Sequence, residues 1–310
     1  MKIALAQIAP VFLDRAATTD KIVRWIADAA DQSAALVAFG ETLLPGYPFW
    51  PCRTDGARFN ADDQKEWYSL YVEQAVDIAG GQLDSIRDAA RRHRLAVIVG
   101  VAERARDRGG TVFCSRVFID AAGDVLSVHR KLMPTYEERL VWGMGDGAGL
   151  RVHRVGAFHV GALNCWENWM PLARAALYSA GEDVHVMLWP GSRQLTRDIT
   201  RFIALESRGY VLSVGGLLRD SDLPARLPDR EKLASTGELL YDGGSCVAGP
   251  DGSWIVEPAI GTERLILADL DPALIRRERQ NFDPAGHYAR PDVLCLGVNQ
   301  KRQTTVECPD

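Results

Sequence analysis

Several hallmarks of common protein classes are missing from this 310-residue sequence. No stretch approaches the roughly 18 consecutive apolar residues that indicate a membrane-spanning helix. The 36 lysines and arginines are outnumbered by 41 aspartates and glutamates and form no long run, which excludes a basic nucleic-acid-binding surface. The apolar run after Lys2 ends at Pro10, which is too short for a signal peptide and predicts a first buried strand instead.

The sequence also lacks the usual motifs of metal and cofactor sites. The six cysteines are scattered without a C-x-x-C pair, so we expect reduced thiols and a cytoplasmic protein. The six histidines show no zinc-ligand spacing. The glycine-rich run 143–149 has Ala148 where G-x-G-x-x-G requires glycine, and Ser245 lies in G-x-S-x-V rather than in a nucleophile elbow. We therefore expect no metal site.

The pattern that remains is the alternation of strands and helices, with 47% hydrophobic and 25% charged residues. Apolar runs of five to eight residues predict buried strands, and apolar residues at helical spacing predict helices between them. The turn 249–252 (GPDG) predicts a hairpin, so part of the sheet structure is antiparallel. We predict an α/β protein with two mixed sheets covered by helices in a single domain, and a long polar surface loop at 220–238. The predicted strands are 2–9, 35–39, 95–101, 112–119, 125–129, 158–164, 184–189, 210–216, 244–249 and 265–270, and the predicted helices include 63–79, 170–180, 194–208 and 272–280.

Cys165 is the one cysteine in an informative setting. It follows the apolar run 158–164 directly and precedes W-E-N-W, with a helix predicted from Met170. Amide groups at the start of a helix favour a thiolate. An arbitrary cysteine is more often an ordinary core residue, but charged and amide side chains seldom crowd such a core cysteine.

Glu41 and Lys131 also lie at the ends of predicted strands. Glu41 follows the apolar run ALVAFG and precedes a Pro-Gly turn, whereas Lys131 ends DVLSVHRK shortly before Pro134. Each alone could be a surface charge. Together with Cys165 they supply a nucleophile, a base and a cation from three strand ends, which is what nucleophilic catalysis requires.

These residues lie in segments that resemble the nitrilase superfamily, and within it the nitrilase branch. The matching segments are AFGETLLPGYP, HRKLMPTYEERLVWGMGDG, ALNCWENWMPLAR and FDPAGHYARPDVL. The C-W-E-N form after the cysteine is typical of nitrilases rather than of the amidase and carbamoylase branches. The resemblance implies a four-layer α-β-β-α sandwich, homo-oligomers and no cofactor. It also implies that Glu138 is a second active-site carboxylate, which spacing alone could not distinguish from Glu137.

The resemblance further implies one carbon–nitrogen hydrolase domain over 1–310, with 285–310 as a C-terminal tail. Many relatives carry longer tails that help to form spirals, so we expect a homodimer or small homo-oligomer rather than a filament. Aromatic residues near the motifs are expected to line an apolar pocket, although each except Trp166 could equally be ordinary core. They are Tyr47, Phe49, Trp166 and Trp189.

The implied activity is hydrolysis of an organic nitrile to a carboxylic acid and ammonia through a thioimidate and a thioester on Cys165. The first alternative is an amidase that uses the same residues on a small amide. The second is a sandwich that only binds a ligand or partner, which the intact set of Glu41, Lys131 and Cys165 argues against.

Overall fold

Two mixed β-sheets lie face to face at the centre of the computed structural model, which describes residues 1–233 and 239–306 except for the side chain of Leu239. In these residues the chain forms thirteen strands and eight α-helices. The strands are β1 (Lys2–Gln7), β2 (Leu36–Phe39), β3 (Ala96–Arg104), β4 (Val112–Ile119), β5 (Val125–Arg130), β6 (His153–Val155), β7 (Phe158–Asn164), β8 (Val184–Trp189), β9 (Tyr210–Gly215), β10 (Leu217–Arg219), β11 (Leu239–Ala248), β12 (Trp254–Ile260) and β13 (Arg264–Asp269). The helices are α1 (Arg15–Asp31), α2 (Trp50–Arg53), α3 (Asp62–Gln74), α4 (Asp84–His93), α5 (Pro171–Ser179), α6 (Arg193–Ser207), α7 (Arg230–Leu233) and α8 (Pro272–Glu278).

The strand order is mixed in both sheets, as predicted. The first sheet has the order β13-β1-β2-β3-β4-β5, and its central strands β1, β2 and β3 are parallel. The second has the order β10-β11-β9-β8-β7-β6, with β7, β8 and β9 parallel and β12 paired to β11. Because the carboxyl ends of β2 and β7 lead into loops at the same end of the sandwich, polar side chains just after these strands can meet there.

Alternation along the strands divides the apolar residues between two layers. In β1, Ile3 and Leu5 face the second sheet, whereas Ala4 and Ala6 face α1 and α4 on the outside. The outer face of the second sheet packs against α6 through residues such as Ile203 and against α5. This confirms the predicted α-β-β-α sandwich.

Most predicted elements are present, and the differences have local causes. The helix predicted over 63–79 ends at Gln74 because Val76 pairs with β3: its amide donates to Ala102 O at 2.7 Å, and its carbonyl accepts from Arg104 N at 2.9 Å. The strand predicted at 244–249 begins earlier, at Leu239. The short elements β6, β10 and α2 were not predicted, because three or four residues carry too little periodicity.

The predicted loop over 220–238 is only partly irregular. In its described portion, residues 220–222 form a 3₁₀ turn and Arg230–Leu233 forms a short helix, while 234–238 lie outside the described residues. The hairpin predicted at 249–252 is confirmed, since β11 and β12 pair in antiparallel fashion on either side of it.

The segment 285–306 contains no helix or strand but is bonded to the sandwich. Arg302 donates to the Asp146 carboxylate at 3.0 Å, and the Gln303 amide donates to the other oxygen at 3.0 Å. Gln300 donates to Leu150 O at 2.9 Å. The division of the chain into a domain and a tail at residue 285 remains a prediction.

Gly100 in β3 shows how the sheet makes room for the loop that follows β2. A Cβ atom on Gly100 would lie 2.5 Å from Thr42 N and 2.8 Å from the Cα of Glu41. Backbone atoms cannot move away as a flexible side chain can. The close passage of this loop over β3 therefore requires glycine.

We predict that Gly100→Ala lowers the free energy of unfolding by about 1–3 kcal/mol, as is usual for overpacking a well-packed interior. Equilibrium urea unfolding of the purified variant measures this loss. Gly110→Ala is the matched control, because nothing lies within 4 Å of an added Cβ there. Equal stability of the two variants would show that the loop can shift freely.

Candidate active site

Four side chains predicted from the sequence meet at one end of the sandwich. Glu41 lies two residues after β2, Lys131 directly after β5 and Cys165 directly after β7. Glu138 lies in a 3₁₀ helix, Tyr136–Leu140. All four side chains are buried, and single ligand atoms of Glu41, Glu138 and Cys165 lie within 4.8 Å of one another.

The ammonium group of Lys131 bridges the two carboxylates. Its Nζ donates to Glu41 Oε1 at 3.0 Å and to Glu138 Oε2 at 2.7 Å. Burial alone would lower the pKa of Lys131, but the carboxylates of Glu41 and Glu138 raise it well above its usual value. Lys131 is therefore a fixed positive charge in this cluster.

Glu41 has a pKa near neutral pH. Burial raises its pKa to about 7; Lys131 opposes the rise and Glu138 adds to it. A carboxylate with a pKa near the working pH is well suited to accept and return a proton. This combination of burial and a specific charge partner is typical of catalytic groups.

Glu138 is held by donors on both oxygens. Tyr47 donates its hydroxyl to Oε1 at 2.7 Å, and the amide of Thr135 donates to Oε2 at 2.6 Å. Thr135 and Glu138 thus form a capping box at the start of the short helix. The helix turns Glu138 rather than the neighbouring Glu137 towards Lys131, as the family resemblance implied.

Cys165 begins a 3₁₀ helix, Cys165–Trp169, with a backbone φ of 46°. A non-glycine residue in this left-handed region is strained, and such residues cluster at functional sites. The Trp166 amide favours the thiolate, in line with the sequence-based expectation. Burial and the Glu41 carboxylate dominate, however, and raise the pKa of the thiol well above its usual value. At rest Cys165 is therefore a thiol and not a thiolate.

Glu167 fastens the segment that carries Cys165 to the segment that carries Lys131. Its carboxylate accepts from the amides of Leu132 at 2.8 Å and Asn164 at 3.1 Å, and His129 Nε2 lies 2.9 Å from both of its oxygens. Burial would raise the pKa of Glu167, but His129 and the two amides lower it overall. The carboxylate stays charged and braces the two segments together.

Asn168 holds the backbone of Cys165. Its side-chain amide donates to the carbonyl of Cys165 at 2.7 Å, and its oxygen lies 2.8 Å from His185 Nε2. His185 in turn lies 2.9 Å from Glu182. Glu167 and Asn168 of the C-W-E-N motif therefore point into the protein and fix the backbone of Cys165.

The sequence did not identify the buried partners His129, His185 and Cys114. Cys114 in β4 donates its thiol to Glu41 Oε1 at 3.3 Å. Each of these residues stands in an apolar strand pattern, so it looks like an ordinary core position. A histidine inside a buried strand is the one signal that could have drawn attention to the first two, because a buried imidazole requires a polar partner.

The predicted pocket residues fall into different environments. The Tyr47 hydroxyl reaches Glu138, and Trp166 is 46% exposed on the surface beside Cys165. Trp189 is fully buried in the apolar cluster that includes Cys165, and Phe49 packs against Phe12 away from that cluster. Substrate binding by Tyr47, Trp166 and Trp189 remains a prediction.

Glu41 and Tyr47 line a small cavity of about 20 Å³. This is room for about one water molecule. The sulfur of Cys165 and the carboxylates of Glu41 and Glu138 are also close enough together to ligate a metal ion. Lys131 already bonds both carboxylates, however, so a cation placed between them would be repelled by the ammonium.

Comparison with known proteins shows which family the chain matches. The carbon-nitrogen hydrolase family model matches residues 2–280. A bifunctional nitrilase/nitrile hydratase from Nicotiana tabacum is 36% identical over 96% of this chain and 86% of its own length. An aliphatic nitrilase from Rhodococcus rhodochrous is 34% identical over 99% of this chain and 81% of its own length, and a nitrilase from Paraburkholderia phymatum is 35% identical over 97% and 87%.

Solved structures share the fold at lower identity. A carbon-nitrogen hydrolase from Helicobacter pylori superimposes with a TM-score of 0.73 at 17% identity, covering 94% of this chain and 96% of its own. A mutant amidase from Nesterenkonia sp., with acrylamide added to its active-site cysteine, gives a TM-score of 0.65 at 19% identity over 91% and 97% of the two chains. These likenesses support the four-layer architecture.

We predict that Glu167→Gln lowers the free energy of unfolding by about 1–3 kcal/mol, because the amide NH₂ would face a backbone donor and leave buried groups unpaired. Thermal and urea unfolding of the purified protein measure the loss. Glu66→Gln on the exposed face of α3 is the control and should be neutral. Because the pKa of Glu167 is lowered by folding, its contribution is present above the pKa of an unfolded glutamate and is lost as pH falls through the folded value. A stability of Glu167→Gln equal to that of Glu66→Gln would contradict the bracing role.

Proposed function

Because this chain belongs to the carbon–nitrogen hydrolase family, we propose that it is a nitrilase that converts an organic nitrile and two waters into a carboxylic acid and ammonia. Two observations together support this proposal. Relatives named as nitrilases align with nearly the whole chain at 34–36% identity. The buried cluster of Glu41, Lys131 and Cys165 supplies a base, a cation and a nucleophile.

The first half of the reaction forms a covalent thioimidate. Glu41 takes the proton of the Cys165 thiol as its sulfur attacks the nitrile carbon, and this proton passes to the nitrile nitrogen. The S–C bond forms while one C–N π bond is lost. Lys131 stabilises the negative charge that develops at the attacked group, with the Trp166 amide as a second donor.

The second half releases ammonia and the acid. Glu41 removes a proton from a water molecule, and this water adds to the thioimidate. The tetrahedral intermediate expels ammonia and leaves a thioester, which a second water hydrolyses to the acid and the free thiol. Glu138, whose oxygens are occupied by Tyr47, Thr135 and Lys131, orients Lys131.

The same tetrahedral intermediate can expel the thiol instead of ammonia, which yields an amide. The tobacco relative is named as a bifunctional nitrilase and nitrile hydratase. We therefore expect some amide as a side product. Its share depends on which group Glu41 or a neighbouring acid protonates first.

We also propose a homodimer or small homo-oligomer that works in the cytoplasm. Among the described residues, no helix combines the length and apolar character needed to cross a membrane. Exposed apolar side chains near the nucleophile support a contact between copies, since patches of this kind mark interaction sites. They include Trp166, Trp169 and Leu172, which are 46%, 43% and 66% exposed. Light scattering of the purified protein tests the oligomeric state.

Nitriles should be better substrates than the matching primary amides. A nitrile carbon is linear and slender, whereas a planar amide needs hydrogen-bond partners for both its oxygen and its NH₂. An unpaired buried polar group costs about 1–3 kcal/mol, or roughly tenfold to hundredfold in kcat/KM. Ammonia release from a nitrile panel and from its own amides measures this ratio. Faster turnover of the amides would make the protein an amidase, and no turnover of either would favour a binding protein.

Lys131→Arg should be nearly as damaging as Lys131→Ala. The planar guanidinium is larger than an ammonium and cannot lie at the same point between two buried carboxylates. We expect both variants to lose more than about 90% of kcat/KM, equivalent to about 1.4 kcal/mol of barrier. Lys65→Arg, at an exposed site on α3, is the control. A Lys131→Arg enzyme that keeps more than a tenth of the wild-type rate would refute the proposed role.

A further inference from the structure

A second buried thiol lies in the site, and the reaction described above does not use it. Cys114 is fully buried near the start of β4, which pairs with β5, the strand that leads directly into Lys131. Its Sγ donates to Glu41 Oε1 at 3.3 Å, and its carbonyl accepts from the amide of Lys131 at 2.8 Å. One residue therefore contacts both the proposed base and the proposed cation.

The two oxygens of the Glu41 carboxylate have different surroundings. Oε1 accepts from Lys131 Nζ at 3.0 Å and from the Cys114 thiol. Oε2 is buried, and within the described part of the chain no donor bonds it. A buried carboxylate oxygen without a donor destabilises the folded protein, and a catalytic role is one explanation for its presence. The free oxygen is the one available to take a proton from Cys165 or from water.

We propose that Cys114 is a positioning residue for the nitrilase reaction: with Lys131 it holds Oε1 of Glu41, so that Oε2 is the oxygen that accepts the proton. This inference rests on the proposed role of Glu41 as general base. The thiol does not touch the substrate and is not consumed. Because Lys131 and Cys114 both donate to Oε1, they restrict rotation of the carboxylate about its last side-chain bond. Oε2 is left without a donor.

The bond also has a consequence for pH dependence. A donor to the carboxylate favours the charged form, so loss of the Cys114 thiol raises the pKa of Glu41 and moves the acid limb of kcat/KM towards higher pH. The other ionisable groups that face Glu41 are unchanged by a substitution at Cys114. They are Lys131, Glu138, Cys165, Tyr47 and Tyr71.

The test compares kcat/KM against pH, with a nitrile substrate, for the wild type, Cys114→Ala and Cys114→Ser. We expect Cys114→Ala to shift the acid limb upwards by about half a pH unit or more and to lower the maximum of kcat/KM about tenfold, as loss of one hydrogen bond to a charged group does. Cys114→Ser retains a donor and should restore most of both. If the alanine variant fails to fold, Cys114→Val fills the volume without a donor.

Cys246→Ala is the matched control, because Cys246 is also fully buried on a strand but bonds Thr200 instead of Glu41. It should leave the acid limb in place. A shift of the limb in Cys114→Ala but not in Cys246→Ala, reversed by serine, supports the proposal. Equal behaviour of the two alanine variants, or no rescue by serine, overturns it.

Glu41→Gln separates failure of this inference from failure of the proposed function. If Glu41→Gln keeps its turnover, Glu41 is not the base, and the role of Cys114 falls with it. If Glu41→Gln is inactive while Cys114→Ala matches Cys246→Ala, only the inference about Cys114 is wrong. Melting temperatures of all variants identify any loss of activity that comes from unfolding.

Discussion

The bridge from Lys131 to two buried carboxylates is the interaction on which the rest of the site depends. One ammonium lies between Glu41 and Glu138, and all three side chains are buried. Charges that cannot be solvated must be paired, so removing Lys131 would leave two carboxylates facing each other. Burial, which Lys131 offsets only in part, raises the pKa of Glu41 to about 7 and that of the Cys165 thiol well above its usual value.

The sandwich supplies the precision that this charge cluster requires. Each of the main groups follows the end of a strand, and its loop is fixed by backbone contacts: the amide of Glu41 donates to Trp189 O at 3.1 Å, and that of Lys131 to Cys114 O at 2.8 Å. Glu167 then joins the Lys131 and Cys165 segments. Side chains held in this way need little rearrangement, and preorganisation of this kind is what lowers a barrier in catalysis.

Strand and helix positions could be predicted because burial imposes period two or period 3.6 on the sequence. Glu41, Lys131 and Cys165 could be found because they are polar residues at the ends of apolar runs. Glu138 required the family resemblance, since its orientation depends on a 3₁₀ helix capped by Thr135. The T-x-x-E spacing of Thr135 and Glu138 is the sequence signal for this turn, but a capping box does not by itself indicate an active-site carboxylate.

Tertiary contacts account for what the sequence did not reveal. In the sequence Cys114 looks like a core residue of a strand. It belongs to the site only because the loop that carries Glu41 approaches it. In the sequence, Glu167 and Asn168 indicated only the branch of the family, whereas in the structure they face the buried histidines His129 and His185. Both side chains bond the backbone on either side of the Cys165 sulfur, so these motif residues determine how Cys165 is positioned.

The central claim is that Cys165 becomes covalently attached to the nitrile carbon during turnover. Mass spectrometry of the enzyme mixed with a nitrile and quenched in acid tests it directly. The account predicts an added mass on the peptide that contains Cys165, and neither adduct nor ammonia with Cys165→Ala. An adduct on Cys114 or Cys246 instead, or continued ammonia release by Cys165→Ala, would contradict it.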